Sequence, residues 1–252
     1  MLAIRGLSKS FGGVKATDNV SLDFADGSLT AVIGPNGAGK STFFNLITGA
    51  LKPDAGSIVL DGVDIAGRSP PDIVRHGIGR AFQVASIFPS LTVQETMLAA
   101  VGADQRRASV LYRRFPLAET RGRAEHAMEL LGLAGKRHRT AATLSHGDQK
   151  LLDIALALVL EPKVLLLDEP TAGMGTEERW RMIDKVQELW EMQKITVVFI
   201  EHDMDIVFKI APEIIVLCYG RVLATGAPDA IRRNEAVIEA YLGTEHHTGA
   251  IA

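Results

Sequence analysis

Apolar and polar residues alternate near the start of the chain. Residues 20–24 read V-S-L-D-F, and a period of two is typical of a strand with one solvated face. Residues 2–7 also have an extended pattern, and residues 57–61 are a further candidate for the same layer. The N-terminal part therefore predicts a small antiparallel β-subdomain.

Later strands are instead predicted from continuous apolar runs, which suit a parallel sheet covered on both faces. The runs are 164–167, 195–200 and 214–217. One helical pattern, 145–160, precedes the first run, and another, 177–193, lies between the first two. Thr176 is the expected cap of the second helix. The predicted fold class is α/β, with a mostly parallel sheet.

The pattern changes between residues 84 and 143, where 93–101 and 124–131 have helical spacing. We expect a helical subdomain inserted at 84–143 into a core formed by 1–83 and 144–243. Residues 244–252 have no apolar period and are expected to form a disordered tail. The prediction is a single domain over 1–243.

Composition narrows the class of protein. The chain has 252 residues, of which 47% are hydrophobic, enough for a substantial core. Its formal net charge is −3 and it has no dense block of Lys and Arg, which argues against a nucleic-acid partner. No apolar run approaches the roughly 20 residues of a membrane helix, and no secretory signal precedes the first strand. We expect the chain to stay in the cytosol.

Residues 34–42 read G-P-N-G-A-G-K-S-T, after the apolar run 29–33 and before the helical segment 42–47. A glycine loop between a strand and a helix presents backbone N–H groups and a helix dipole to an anion. In the pattern G-x-x-x-x-G-K-[ST], the lysine reaches the β- and γ-phosphates and the hydroxyl ligates Mg²⁺. The alternative is an ordinary glycine turn. The predicted nucleoside triphosphate site consists of Gly34, Pro35, Asn36, Gly37, Ala38, Gly39, Lys40, Ser41 and Thr42.

Two acids, Asp168 and Glu169, follow the apolar run 164–167. A strand carries them to the carboxyl edge of the sheet, where ligands of open α/β sheets bind. Asp168 is predicted to hold Mg²⁺, and Glu169 to orient and polarise the attacking water. Successive strand side chains point to opposite faces, so we expect different roles for the two acids. The alternative is a strand that simply ends in a turn.

A second helix begins at L-S-H-G-D-Q, residues 144–149. Ser145 and Gly147 equip its N-terminus to receive a phosphate. Together with G-P-N-G-A-G-K-S-T, L-L-L-D-E-P and the later I-E-H-D at 200–203, this motif resembles the ATP-binding subunits of ABC transporters. The resemblance covers residues 2–242, with the motifs in the expected order.

The resemblance implies a P-loop NTPase core and roles for further residues. Phe11 would be the aromatic platform under adenine, although a core aromatic is the alternative for this residue. Gln83 would contact Mg²⁺ and sense the membrane subunits, and His202 would be the switch histidine near the γ-phosphate. Together with Lys40 and Glu169, His202 completes the predicted catalytic set.

The resemblance also implies a mechanism and partners. Two such subunits would hold each ATP between the phosphate loop of one and Ser145 and Gly147 of the other, and their closure would drive permease subunits. The expected cofactors are ATP and Mg²⁺. The second cassette is a copy or a related chain, and a solute-binding protein is an indirect partner. The expected location is peripheral, on the cytoplasmic face of the membrane.

Two departures from the family pattern matter. His146 and Asp148 replace the first glycine and the glutamine of L-S-G-G-Q, and T-A-G-M at 171–174 stands where many members have S-A-L-D. The A-G-M form, F-G-G at 11–13, the long segment 84–143 and the ending 237–243 resemble the branched-chain amino acid importer branch, which also handles urea and short amides. Alternatives are an ABC exporter of the lipopolysaccharide-transport type and a soluble ABC ATPase without a transport role.

Overall fold

The computed structural model of the chain describes residues 1–82, 88–103 and 118–245, with the backbone alone at 118–119 and 242–245. Its strands form a four-stranded sheet and a six-stranded sheet. The helices pack on these sheets. This mixed architecture confirms the predicted α/β fold class.

The four-stranded sheet is the predicted antiparallel β-subdomain. Its spatial order is β2-β1-β4-β5, and all its pairs are antiparallel. The strand β4 contains most of the segment 57–61 and pairs with β1, as expected from the sequence. The strands are β1 Leu2–Phe11, β2 Val14–Phe24, β4 Ala55–Leu60 and β5 Val63–Asp64.

The six-stranded sheet has the order β10-β9-β3-β8-β7-β6 and is parallel except for the β9–β10 pair. Continuous apolar runs correctly predicted β7, β8 and β9. The strands β6 and β10 were not predicted, because β6 is short and contains a glycine and an arginine, and β10 alternates between half-buried and exposed positions. The strands are β3 Leu29–Ile33, β6 Ile78–Ala81, β7 Val164–Asp168, β8 Thr196–Ile200, β9 Glu213–Cys218 and β10 Arg221–Gly226.

Both faces of the strand β3 are buried, each in a different core. Ala31 and Ile33 pack into the core beneath the helices that follow β6 along the chain. Val32, between them, packs into a second core that lies under the four-stranded sheet. The phosphate loop thus emerges from a strand that is fixed on both sides.

Helices cover the rest of the core. The helix α6 begins at Thr176, and its N-cap is Gly175, with no side-chain cap hydrogen bond. The prediction that Thr176 caps this helix was therefore wrong: glycine is tolerated at the cap, and Glu177 and Glu178 favour the first turn through the helix dipole. The helices are α1 Lys40–Ile47, α2 Pro70–His76, α3 Val93–Ala103, α4 Ala118–Leu130, α5 His146–Leu158, α6 Thr176–Gln193, α7 Met204–Ile210, α8 Pro228–Arg232 and α9 Glu235–Glu245.

The predicted helical segment contains α3 and α4, which pack against α5 in the core shared with the large sheet. The last helix continues through Thr244 and Glu245, two residues into the expected tail. Among the described ranges, none of the helices is long and apolar enough to cross a bilayer. The division into core and insertion remains a proposal.

Candidate nucleotide site

The loop between β3 and α1 requires glycine at two points of close approach. Gly34 has φ 152°, and a Cβ there would lie 2.1 Å from the carbonyl oxygen of Leu217. Gly39 has φ 100°, and its Cβ would lie 2.1 Å from the carbonyl oxygen of Ala16. Only glycine fits such contacts, so the loop is pressed between β9 and β2.

The turn between β9 and β10 ties this loop to the small sheet. The Gly220 N–H donates to the carbonyl oxygen of Ala38 at 3.0 Å, and the Asp18 N–H donates to the carbonyl oxygen of Gly220 at 2.8 Å. Gly220 therefore joins the phosphate loop, which follows a strand of the six-stranded sheet, to the strand β2 of the four-stranded sheet.

The helix α1 starts in a way that favours an anion. Its N-cap is Gly39, no side chain caps it, and its first turn contains no acidic residue. The first N–H groups of a helix have no intrahelical partner, and the helix dipole makes this end positive. A phosphate is a suitable acceptor for these groups.

Lys40, the first residue of α1, is a buried cation at the base of the loop. Its side-chain Nζ donates to the carbonyl oxygens of Gly34 at 2.6 Å and Pro35 at 3.1 Å. Burial lowers the pKa of Lys40 from its ordinary value, while the carboxylates of Glu169 and Asp168 act in the opposite direction. Because an ammonium group has three donors, one N–H is left for a phosphate oxygen.

A cleft of about 260 Å³ opens over this loop. Its walls bring residues 36–42 together with Ala16, Glu169 and His202. Within the described ranges, Phe11, Ser145 and Gly147 do not line it. The structure therefore unites the phosphate loop with two of the predicted catalytic side chains.

Glu169 lies just beyond the end of β7 in a left-handed conformation, with φ 48°. Such a backbone costs about 1–3 kcal/mol for a residue other than glycine and is concentrated at functional sites. The Glu169 N–H donates to the carbonyl oxygen of Ile200 at 3.0 Å, and its Oε1 lies 3.0 Å from Nε2 of His202. Strand alternation does not apply to Glu169, because this residue lies outside β7, and the prediction of different roles for the two acids stays a prediction.

Asp168, the last residue of β7, is buried and is not among the residues that line the cleft. Its Oδ2 accepts from Nη2 of Arg80 at 2.6 Å, and Nη1 of Arg80 donates to Oδ1 of Asn45 at 2.7 Å. The guanidinium also lies 4.9 Å from the ring centre of Phe82. Arg80 was not predicted from the sequence, although a charge within a short apolar strand indicates a buried partner.

The residues present fit Mg²⁺. The hydroxyl of Ser41, which lines the cleft, and the carboxylate of Asp168 are hard oxygen donors. The described part of the chain contains no group of three or more His, Cys, Asp or Glu side chains able to hold a metal. Gln83, the third predicted ligand, lies outside the described residues.

The second predicted phosphate-binding helix is α5, and contacts within the chain already engage its N-terminus. Ser145 is the N-cap, and its Oγ accepts from the Asp148 N–H at 3.2 Å. The Gly147 N–H donates to Oε1 of Glu178 at 3.1 Å, and Nε2 of His146 lies 3.1 Å from the carbonyl oxygen of Ala172. Asp148 pairs with Lys136 at 2.6 Å. The two departures from L-S-G-G-Q, His146 and Asp148, thus both fix the start of α5.

Phe11 ends β1 with its ring exposed. Its relative exposure is 48%, and Nζ of Lys9 lies 5.6 Å from the ring centre. The alternative of a core aromatic is therefore excluded. An exposed aromatic face is free to stack on a planar ligand.

Comparison with known families identifies the class of protein. The family model described as ABC transporter matches residues 17–172, which is more than half of the chain. The chain therefore belongs to the ABC transporter family, as the ATP-binding cassette that binds nucleotide and hydrolyses ATP. A second model, described as branched-chain amino acid ATP-binding cassette transporter, matches residues 221–247.

Curated relatives fall in the same branch. The chain is 38% identical over 251 residues to the high-affinity branched-chain amino acid transport ATP-binding protein LivG of Escherichia coli K12. It is 37% identical over 250 residues to the corresponding protein BraF of Pseudomonas aeruginosa. Each alignment covers 96% of this chain and 98% of the relative.

Solved structures agree with this assignment. The ADP conformation of MJ1267, an ATP-binding cassette of an ABC transporter, has a TM-score of 0.85 and 33% identity, covering 96% of this chain and 98% of that one. CbiO1 from Clostridium perfringens, part of the ABC transporter complex CbiONQ, has a TM-score of 0.79 and 29% identity, with coverage of 99% and 98%. The predicted P-loop NTPase fold is confirmed.

Proposed function

We propose that this chain is the ATPase subunit of an importer for branched-chain amino acids or related small polar solutes such as amides and urea. The observation that most directly supports ATPase activity is the cleft. The uncapped start of α1, Lys40, Glu169 and His202 come together there. The names of the relatives and the family match at 221–247 support the importer branch.

The geometry supports hydrolysis of ATP to ADP and phosphate. The N–H groups of the loop and Lys40 bind the phosphate chain, with charge stabilisation that needs no rearrangement during the reaction. Ser41 and Asp168, with Gln83, would hold Mg²⁺, which would supply neutralisation of phosphate charge. Glu169 accepts a hydrogen bond from the attacking water, and His202 holds the Glu169 carboxylate in position.

Two cassettes, either two copies or this chain with a related one, would complete the site. In that arrangement Ser145 and Gly147 of one subunit face the ATP on the loop of the other. Because the Gly147 N–H already donates to Glu178, a phosphate at this amide has to share or replace that bond. Permease subunits would receive the resulting motion at the cytoplasmic face of the membrane, and a solute-binding protein would deliver the solute.

Reconstitution in proteoliposomes with partner permeases and binding protein tests the function. We expect ATP-dependent uptake of radiolabelled leucine, isoleucine or valine, or of urea or acetamide, and no uptake with the Lys40→Ala chain. ATP-driven movement in the opposite direction would favour the exporter alternative. A chain that hydrolyses ATP but never copurifies with a membrane protein would favour the soluble alternative.

Phe11→Ala tests the adenine platform. We expect nucleotide affinity to fall by about 1–3 kcal/mol, the range for a lost base–aromatic stack, because the exposed ring is available for stacking. Titration with a fluorescent ATP analogue measures the change. Phe88→Ala, which removes a ring of similar exposure, is the matched control, and equal affinity in both variants contradicts the assignment.

Phe88→Asp tests whether the segment 83–91, in which the apolar residues Ile87, Phe88 and Leu91 follow Gln83, is the socket that receives the permease. Phe88 lies within this segment and Phe82 directly precedes it, and both side chains are exposed. Gln83 and Ile87 lie outside the described residues. Exposed apolar side chains that cluster mark interaction sites, so we expect ATP hydrolysis to be uncoupled from transport while nucleotide binding is retained.

Transport and ATPase rates measured in the same proteoliposomes check this prediction. The control is Met192→Asp, which places the same charge at an exposed apolar site on α6. Normal coupling in Phe88→Asp, or failure of that variant to fold, would place the socket elsewhere.

A further inference from the structure

Glu201 is a buried carboxylate between β8 and His202. Its exposure is 4%, and a carboxylate removed from water is costly unless it is paired or hydrogen-bonded. Burial raises the pKa of Glu201, and hydrogen bonds from Thr171 and the His202 N–H oppose that shift. The chain therefore places a charge-bearing group where an apolar residue would be easier to bury.

The hydrogen bonds of Glu201 connect two loops at the carboxyl edge of the sheet. Its Oε1 accepts from the Thr171 N–H at 2.9 Å and from Oγ1 of Thr171 at 2.6 Å. Its Oε2 accepts from the His202 N–H at 3.2 Å. Thr171 lies two residues after Glu169, so one side chain links the loop that carries Glu169 to the loop that carries His202.

This link lies close to the reacting groups without entering the cleft. Glu169 and His202 meet at 3.0 Å on the cleft wall, whereas Glu201 is not among the residues that line it. The backbone bond from the Glu169 N–H to the Ile200 carbonyl oxygen, at 3.0 Å, joins the same two loops. Glu201 adds three side-chain hydrogen bonds to that single backbone bond.

We propose that Glu201 is a positioning residue for ATP hydrolysis, which fixes Glu169 and His202 relative to each other by holding Thr171 and the His202 backbone. The inference rests on the proposed roles of Glu169 and His202. Phosphoryl transfer depends mainly on positioning and charge stabilisation, and a misplacement of 1 Å can slow a reaction about a hundredfold. The contacts of Lys40 and the α1 N-terminus with phosphate do not involve Glu201.

Glu201→Ala, Glu201→Gln and Thr171→Val separate positioning from simple stabilisation of the fold. We expect kcat to fall about 10- to 100-fold in Glu201→Ala, with KM and the affinity for a non-hydrolysable ATP analogue unchanged within about twofold. Glu201→Gln should be intermediate, because its amide oxygen can accept from Thr171 but its NH₂ group cannot accept from the His202 N–H. Thr171→Val removes one bond and should have the smaller effect, which Thr171→Ser should restore.

The pair Glu201→Ala and Thr171→Val should not be additive, since both remove the same link. Thr196→Val is the matched control: this buried threonine bonds to Ala25 and Gly27, away from the cleft. If Glu201→Ala does not fold, the kcat values of Glu201→Gln and Thr171→Val test the proposal.

Parallel assays of Glu169→Gln distinguish a failure of the role proposed for Glu169 from a failure of the positioning role proposed for Glu201. If Glu169→Gln turns over normally, the proposed function of Glu169 fails. If Glu169→Gln is inactive while folded Glu201→Gln and Thr171→Val keep the wild-type kcat, the positioning role alone is overturned. A fall in melting temperature or nucleotide affinity without a specific fall in kcat also overturns it.

Discussion

We expect Lys40→Ala to abolish ATP binding and hydrolysis. The loop then loses the buried positive charge that faces the β- and γ-phosphates, and the carbonyl oxygens of Gly34 and Pro35 lose the Lys40 donor. One charged hydrogen bond contributes about 1.5–3 kcal/mol, which alone lowers affinity about 10- to 150-fold, and the lost attraction to the other phosphate charges adds to this effect. Titration with a fluorescent ATP analogue and steady-state phosphate release measure the two effects.

The control for Lys40→Ala is Lys185→Ala, which removes a lysine from the outer face of α6, where it pairs with Glu188. This control should bind and hydrolyse ATP normally. Circular dichroism of both variants confirms that each is folded. Wild-type affinity in a folded Lys40→Ala chain would show that the phosphates bind elsewhere.

Glu169→Gln is expected to bind ATP normally and to hydrolyse it at least about a hundredfold more slowly, the lower range for loss of a general base. The amide keeps the shape of the carboxylate and can retain a hydrogen bond to His202, now 3.0 Å away, but it polarises water poorly. The phosphate and Mg²⁺ contacts do not change. The ATP-bound dimer should therefore persist and be visible by size-exclusion chromatography, alone or mixed with a partner cassette.

Glu177→Gln, at an exposed position on α6, is the matched control and should turn over ATP at the wild-type rate without a persistent dimer. Near-normal turnover in Glu169→Gln would remove this residue from the mechanism. His202 would then be the first candidate for placing the water.

Local patterns predicted the parts of the fold that depend on neighbouring residues. The loop from Gly34 to Gly39 is visible in the sequence because strand, glycines, lysine and helix follow one another directly. The strands β7 to β9 are visible because burial on both faces leaves a continuous apolar run in each, with a polar residue only at one end. A cap is a finer feature, and the choice between Gly175 and Thr176 depends on backbone angles that no pattern records.

Contacts between distant segments could not be predicted in this way. Arg80 and Asp168 are 88 residues apart, and they meet because β6 and β7 are adjacent in the sheet. Glu201 reaches Thr171 across 30 residues for a similar reason, since the loops that carry them follow the adjacent strands β7 and β8. The left-handed backbone of Glu169 likewise arises from the fold around it.

Gly220 links the small sheet to the phosphate loop. Because its N–H is bonded to Ala38 and its carbonyl oxygen to the Asp18 N–H, the small sheet is anchored at the phosphate loop itself. The β1–β2 hairpin that carries Phe11 is therefore held beside the loop by the folded chain itself. A nucleotide that stacks on the ring and binds the loop would find both contacts already in place, with little ordering left to pay for on binding.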